Sequence, residues 1–140
     1  MEIGIAMALP RPEVETIRVA GLLHDIGKIE ISGEILTKAA SLSAEEKELM
    51  DSHSFKGAYI LSAVGSVLKE VVPIVVSHHK HFVETLESNN GDKRNIPLGA
   101  RVVAVADAFD AMTTDRPYRK GMQPWEAYQE ILNQTGKQFD

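Results

Sequence analysis

A chain of 140 residues with 44% apolar content is the size of one ordinary domain, able to bury a core without disulfides or a structural metal. Its net charge of -5 gives no general attraction for polyanions, which argues against duplex nucleic acid as a bulk ligand. Cysteine is absent, which removes disulfide frameworks and thiolate sites and leaves histidine and carboxylate as the available metal ligands.

In chain order, Ile3 to Leu9 is apolar but follows Glu2, lacks a basic flank and stops at Pro10. It is too short to span a bilayer and is a poor signal peptide, so no membrane partner is expected and nothing points outside the cell. Val14, Ile17, Ala20 and Leu23 then recur at helical spacing, with Pro12 suited to a first turn and Gly27 to a stop. His24 and Asp25 fall in the last turn. Ile29 to Thr37 has no clean period and reads as a loop. Ser43-Ala44-Glu45-Glu46 is a capping box, and the helix it opens runs toward His53, continuous or not, and ends by Gly65-Ser66.

Val67 to His79 is apolar, but Pro73 forbids a central strand, so a helix with Pro73 in its first turns and its end at His78-His79 fits better. Lys80 to Ile96, with Ser88-Asn89-Asn90-Gly91-Asp92, is a long loop. Leu98, Val102, Val105, Phe109 and Met112 mark one face of a helix to about Thr114, with Arg101 and Asp107 off that stripe. A last helix starts at Pro124, turns Trp125, Tyr128, Ile131 and Leu132 inward, and is terminated by Gly136. The fold class is all-α.

Chemistry concentrates in His24-Asp25-Ile26-Gly27-Lys28, His53, the tandem His78-His79 and Asp107. Consecutive helical residues point about 100° apart, so His24 and Asp25 reach one ion only where the backbone turns, which Gly27 can supply. Lys28 stands four residues after His24, where its ammonium can meet a phosphate oxygen or leaving group. The plainer alternative has His24 capping a helix and Asp25 paired with Lys28. Asp107 sits among small apolar residues, where a buried carboxylate must be paired or metal-bound, unless it faces solvent beside its alanines. Arg116, Arg119 and Lys120 form a basic cluster that is either a phosphate contact or a solvated loop. Together His24, Asp25, His53, His78, His79 and Asp107 suffice for two ions sharing Asp25. A pair of ions about 3.5–4 Å apart suits phosphodiester hydrolysis, activating water and clamping the phosphate oxygens.

These segments, in this order, resemble the motifs of HD-GYP domains: His24-Asp25-Ile26-Gly27-Lys28, Ser52-His53 through Gly57-Ala58, His78-His79, Ile96 through Arg101, Ala106-Asp107 through Thr113, Asp115 through Arg119, and Gly136 through Asp140. The resemblance covers nearly the whole chain. It implies an HD-domain-like helical bundle and a bacterial cytoplasmic phosphodiesterase that converts cyclic di-GMP to pGpG or GMP with two or three iron or manganese ions. By motif position it makes His24, Asp25, His53, His78, His79 and Asp107 metal ligands, has Lys28 assist at the phosphate, and gives Arg116 and Arg119 the substrate's phosphates.

Two departures from that pattern bear on activity. Lys80 stands where the family has Glu, and Val83-Glu84-Thr85-Leu86-Glu87-Ser88 occupies the Gly-Tyr-Pro stretch. The acidic residue and histidine that the family places upstream of His-Asp have no counterpart here, as though the first helix were cut short and one ion had lost ligands. The expectation is therefore weak turnover, with a non-catalytic module that binds a nucleotide or a signalling protein as the alternative. A shortened first helix would also leave an apolar groove at Ile17, Leu22 and Leu23, covered by Ile3–Leu9 of the same chain or of a second copy in a homodimer.

Overall fold

Helix α2 (Arg11–Leu23) begins as its sequence directs, with Pro12 in the first turn and Val14, Ile17 and Ala20 buried. In this computed structural model, which describes residues 1–38, 40–85, 96–115 and 119–140, no strand or sheet occurs among the described residues. The other helices are α1 (Glu2–Ala6), α3 (Gly33–Leu36), α4 (Ala44–Asp51), α5 (His53–Ala63), α6 (Val72–Ser77), α7 (Leu98–Thr113) and α8 (Pro124–Asn133). Among the described residues no helix is long and apolar enough to cross a membrane.

The core forms where α2, α5, α6 and α7 meet, with Ile17, Ala20, Leu61, Val75, Ala100 and Val103 all buried. Burying such a branched aliphatic side chain contributes about 1.5–3 kcal/mol. Ile3 and Leu9 pack against this cluster, and Gly4 is buried where an added methyl would sit 3.4 Å from Val14. The N-terminal segment therefore folds back on its own α2, while Leu22 remains 72% exposed.

Several elements differ from the pattern read in the sequence, each for a local reason. The stretch expected as a loop after Gly27 holds a 3-10 turn, Ile26–Glu30, followed by α3, because Ser32 starts a new turn by accepting from the Ile35 and Leu36 amides. The capping box at Ser43 is present, with Glu46 N 3.2 Å from Ser43 Oγ and Ser43 N 2.7 Å from Glu46 Oε2. The helix it opens ends at Asp51 and α5 starts at His53, with Ser52 between them. In α7 the buried residues are Gly99, Ala100, Val102 and Val103, so the inward face is rotated from the expected stripe and Phe109 is exposed.

Helix α8 departs furthest from expectation. Trp125, Tyr128 and Leu132 face outward, at 67%, 48% and 47% exposure, instead of inward. Pro124 and a capping box between Gln123 and Glu126 set the helix phase so that Ala127, fully buried, faces the bundle with the half-buried Ile131 one turn on. The helix ends at Asn133, not Gly136; Gly136 instead takes a left-handed φ of 78° in the following turn. That turn brings Gln138 O to Phe82 N at 3.1 Å and Lys137 O to Val83 N at 2.8 Å, tying the last residues to the chain beyond His79.

Candidate metal centre

Four histidines and two carboxylates from α2, α5, α6 and α7 converge in one place. His24 Nε2 lies 3.5 Å from Asp25 Oδ2 and 3.5 Å from Asp107 Oδ1. Asp25 turns its other oxygen, Oδ1, to His53 Nε2 at 3.5 Å, and His53 Nε2 is 3.1 Å from His79 Nε2. Two sets of donor atoms, one from His53, His78 and His79 and one from His24, Asp25 and His78, each lie within 4.8 Å of one another. His78 belongs to both sets.

Local backbone explains why these nitrogens point together. His24, His53 and His78 each sit at a helix end or junction, and each places Nδ1 against the carbonyl three residues back: Gly21 at 2.8 Å, Met50 at 2.6 Å and Val75 at 2.7 Å. A carbonyl only accepts, so Nδ1 carries the proton and Nε2 is left with its lone pair facing inward. Pinning the distal nitrogen this way fixes the tautomer and ring direction that a metal ligand needs. The Nε2 atoms of His24 and His78 are buried with no hydrogen-bond partner. Bare imidazole nitrogens beside carboxylates are the donor set of iron, manganese or zinc, so the residues present fit a divalent transition metal.

The electrostatics point the same way. Burial, with His79 beside it, pushes His78 down to about 4, and His79 is lowered by burial and by His53. His24 is raised, chiefly by the Asp107 carboxylate facing it, and Asp107 is lowered in turn by His24. Both groups depressed below the ordinary histidine value bind protons in the unfolded chain before they do in the folded one. The stability that His78 and His79 contribute to the metal-free protein is therefore complete above pH 6.5 and falls as the pH drops through that value toward 4. His78 alone accounts for a loss on the order of 3 kcal/mol across the window. His24 adds no slope there, because its raised value keeps its contribution constant below 6.5. Urea unfolding of chelator-treated protein at pH 7 and pH 4.5 measures this, and equal stabilities at the two values would contradict it.

Asp25 leaves the helix where expected: α2 ends at Leu23 and the backbone changes to the 3-10 turn at Ile26. Gly27, however, has no left-handed φ and does not make the turn. Its missing side chain admits α5, since a methyl there would overlap the His53 carbonyl and the Gly57 amide. This contact seats Asp25 opposite His53, and its only trace in the sequence is a pair of glycines in separate motifs.

Of the remaining candidates, Lys28 is held by Asp25 Oδ2 at 2.6 Å, which realises the plainer pairing read in the sequence. Asp107 is half-buried, at 34% side-chain exposure, between the buried and solvent-facing alternatives. Arg119 donates to the Ala111 carbonyl at 2.6 Å, and no contact among the described residues brings it to the histidines. Arg116 lies outside the described residues. A cleft of about 420 Å³ bordered by Ile3, Ile17, Leu22, Val102, His24 and Asp107 opens beside the cluster.

Comparison with known proteins agrees with this architecture. The HD domain family model matches residues 1–140. A cyclic di-GMP phosphodiesterase of Thermotoga maritima is 38% identical over 134 residues, covering 95% of this chain and 36% of that protein. One of Pseudomonas aeruginosa is 37% identical, over 93% of this chain and 31% of that protein. The 3'3'-cGAMP-specific phosphodiesterase 2 of Vibrio cholerae is 32% identical, over 94% of this chain and 26% of that protein. The all-helical bundle and its histidine-aspartate cluster thus define the class, and the chain belongs to the HD domain family. It spans about a third of the length of the curated relatives it matches.

Proposed function

We propose that this domain holds two divalent transition ions, iron or manganese, through His24, Asp25, His53, His78, His79 and Asp107, and hydrolyses a phosphodiester of a cyclic dinucleotide such as cyclic di-GMP. The observation that carries this is the placement of Asp25, whose two oxygens face His24 on one side and His53 on the other. A carboxylate so placed suits a bridge between neighbouring ions. Bound as a pair, such ions make water nucleophilic at neutral pH and neutralise charge on the phosphate oxygens. The relatives named for cyclic di-GMP or 3'3'-cGAMP hydrolysis support the substrate class.

The chain's own residues supply position and charge. The carbonyls of Gly21, Met50 and Val75 keep three imidazoles in register without moving during a reaction. Lys28 rests on Asp25, so its ammonium stands beside the carboxylate where it can follow a phosphate oxygen or the departing alkoxide. By motif position, Arg116 and Arg119 would hold the substrate's phosphates.

A second reading, a module that binds a nucleotide or a signalling protein without turnover, is favoured by Val83-Glu84-Thr85-Leu86-Glu87-Ser88 in place of Gly-Tyr-Pro. Protein loaded anaerobically with iron or manganese and incubated with cyclic di-GMP separates the two. Chromatography is expected to show pGpG and GMP accumulating beyond one equivalent of enzyme, with slow turnover. Tight binding with no product would transfer the assignment to the second reading.

A further inference from the structure

Beside the cluster, sharing no lining residue with the 420 Å³ cleft, a pocket of about 400 Å³ is lined by residues that include Lys47, Asp51, Ser54, Phe55, His79 and Lys80. Three features set it apart from an ordinary solvated surface. Its two ammonium groups, from α4 and from the residue after the tandem histidines, have no ion pair among the described residues, and they outnumber the one carboxylate, Asp51. Ser54 is only 4% exposed and its hydroxyl has no hydrogen-bond partner. A helical serine ordinarily donates to the carbonyl four residues back, but here that carbonyl, on Met50, is engaged by His53 Nδ1 at 2.6 Å. An orphaned buried hydroxyl is a standing cost that a ligand oxygen would relieve. Beside it, the Phe55 ring is 69% exposed, an apolar face at the mouth of a charged pocket.

We propose that Lys47, Lys80 and the Ser54 hydroxyl form an anion subsite that takes the uncleaved phosphate of a cyclic dinucleotide, with Phe55 as a platform for one of its bases. The inference rests on the cyclic dinucleotide reading above and adds which residues hold the half of the substrate that does not react. Two phosphates on one ring require two anion sites side by side. His79 borders this pocket and also belongs to the metal-ligand set, so the pocket and the cluster share a wall. A flat aromatic face suits a base because every base has a stacking surface.

Calorimetric titration of the manganese-loaded chain with cyclic di-GMP, and separately with 3',5'-cyclic GMP, which has one phosphate, tests this. Lys47→Gln and Lys80→Gln are each expected to weaken cyclic di-GMP binding about tenfold, the loss of one charge-assisted contact. Binding of cyclic GMP and bound manganese should stay within twofold of the parent. Ser54→Ala should weaken cyclic di-GMP binding while keeping or raising thermal stability, an outcome a purely structural serine would not produce. Unchanged cyclic di-GMP affinity in the lysine variants overturns the subsite and leaves the dinucleotide reading standing. Equal weakening of both nucleotides, or loss of manganese, overturns it as well. If the parent chain binds no cyclic di-GMP, the dinucleotide reading falls and the subsite with it.

Discussion

Replacing His78 and His79 together by alanine is expected to abolish transition-metal binding. The chain loaded with iron or manganese should hold at least one equivalent by elemental analysis, and the double variant less than a tenth. The size of the effect follows from the geometry: His78 is common to both sets of converging donors, and His79 completes the set with His53. Removing the pair leaves His53 with no nitrogen partner and His24 with only carboxylates. The fold should survive, because the apolar core of Ile17, Ala20, Leu61, Val75, Ala100 and Val103 is untouched and the buried, unpartnered Nε2 of His78 is removed with its ring. Far-ultraviolet circular dichroism of the variant checks this. A parent chain holding less than a tenth of an equivalent would refute the metal centre itself.

The cluster was legible in the sequence because histidine, unlike an apolar residue, has few reasons to recur beside carboxylates at helix ends. Every histidine that the sequence singled out lies in the cluster, and Asp25 and Asp107 join them. The elements with strong local signals were also readable, as at Pro12, Ser43 and Pro73, where one residue type satisfies or removes a backbone group and so marks a boundary. What stayed hidden depends on helix rotation. The face that α8 buries is the one carrying the small Ala127, and a periodic apolar stripe cannot say which side is covered. The same limit applies to α7, where small residues rather than Phe109 turned inward. The Ser54 hydroxyl was equally invisible, since its isolation arises from what His53 does with the Met50 carbonyl.

Gly27→Ala should be among the most disruptive single substitutions in the chain, although it adds one methyl group. In a tight turn with a left-handed φ, alanine would cost about 1 kcal/mol through backbone strain alone. Gly27 is not of that kind: its φ is ordinary, and the obstacle is the backbone of α5. The methyl would overlap the His53 carbonyl and the Gly57 amide, neither of which can rotate away as a side chain would. The 3-10 turn and α5 must therefore separate, and nothing flexible lies between them to absorb the movement. Overpacking of this sort costs about 1–3 kcal/mol when side chains can yield, and a clash of backbone with backbone belongs at or above the upper end. Because the displaced segment holds Asp25 on one side and His53 on the other, their 3.5 Å approach is lost together with the stability. The expected result is a fall of about 3 kcal/mol or more in urea unfolding of the metal-free protein, with metal content reduced at least tenfold in whatever fraction remains folded. Gly33→Ala serves as the comparison, since a methyl there meets nothing within 4 Å and should leave both measurements near the parent values. If Gly27→Ala behaves like Gly33→Ala, the close approach of the turn to α5 is not what seats Asp25.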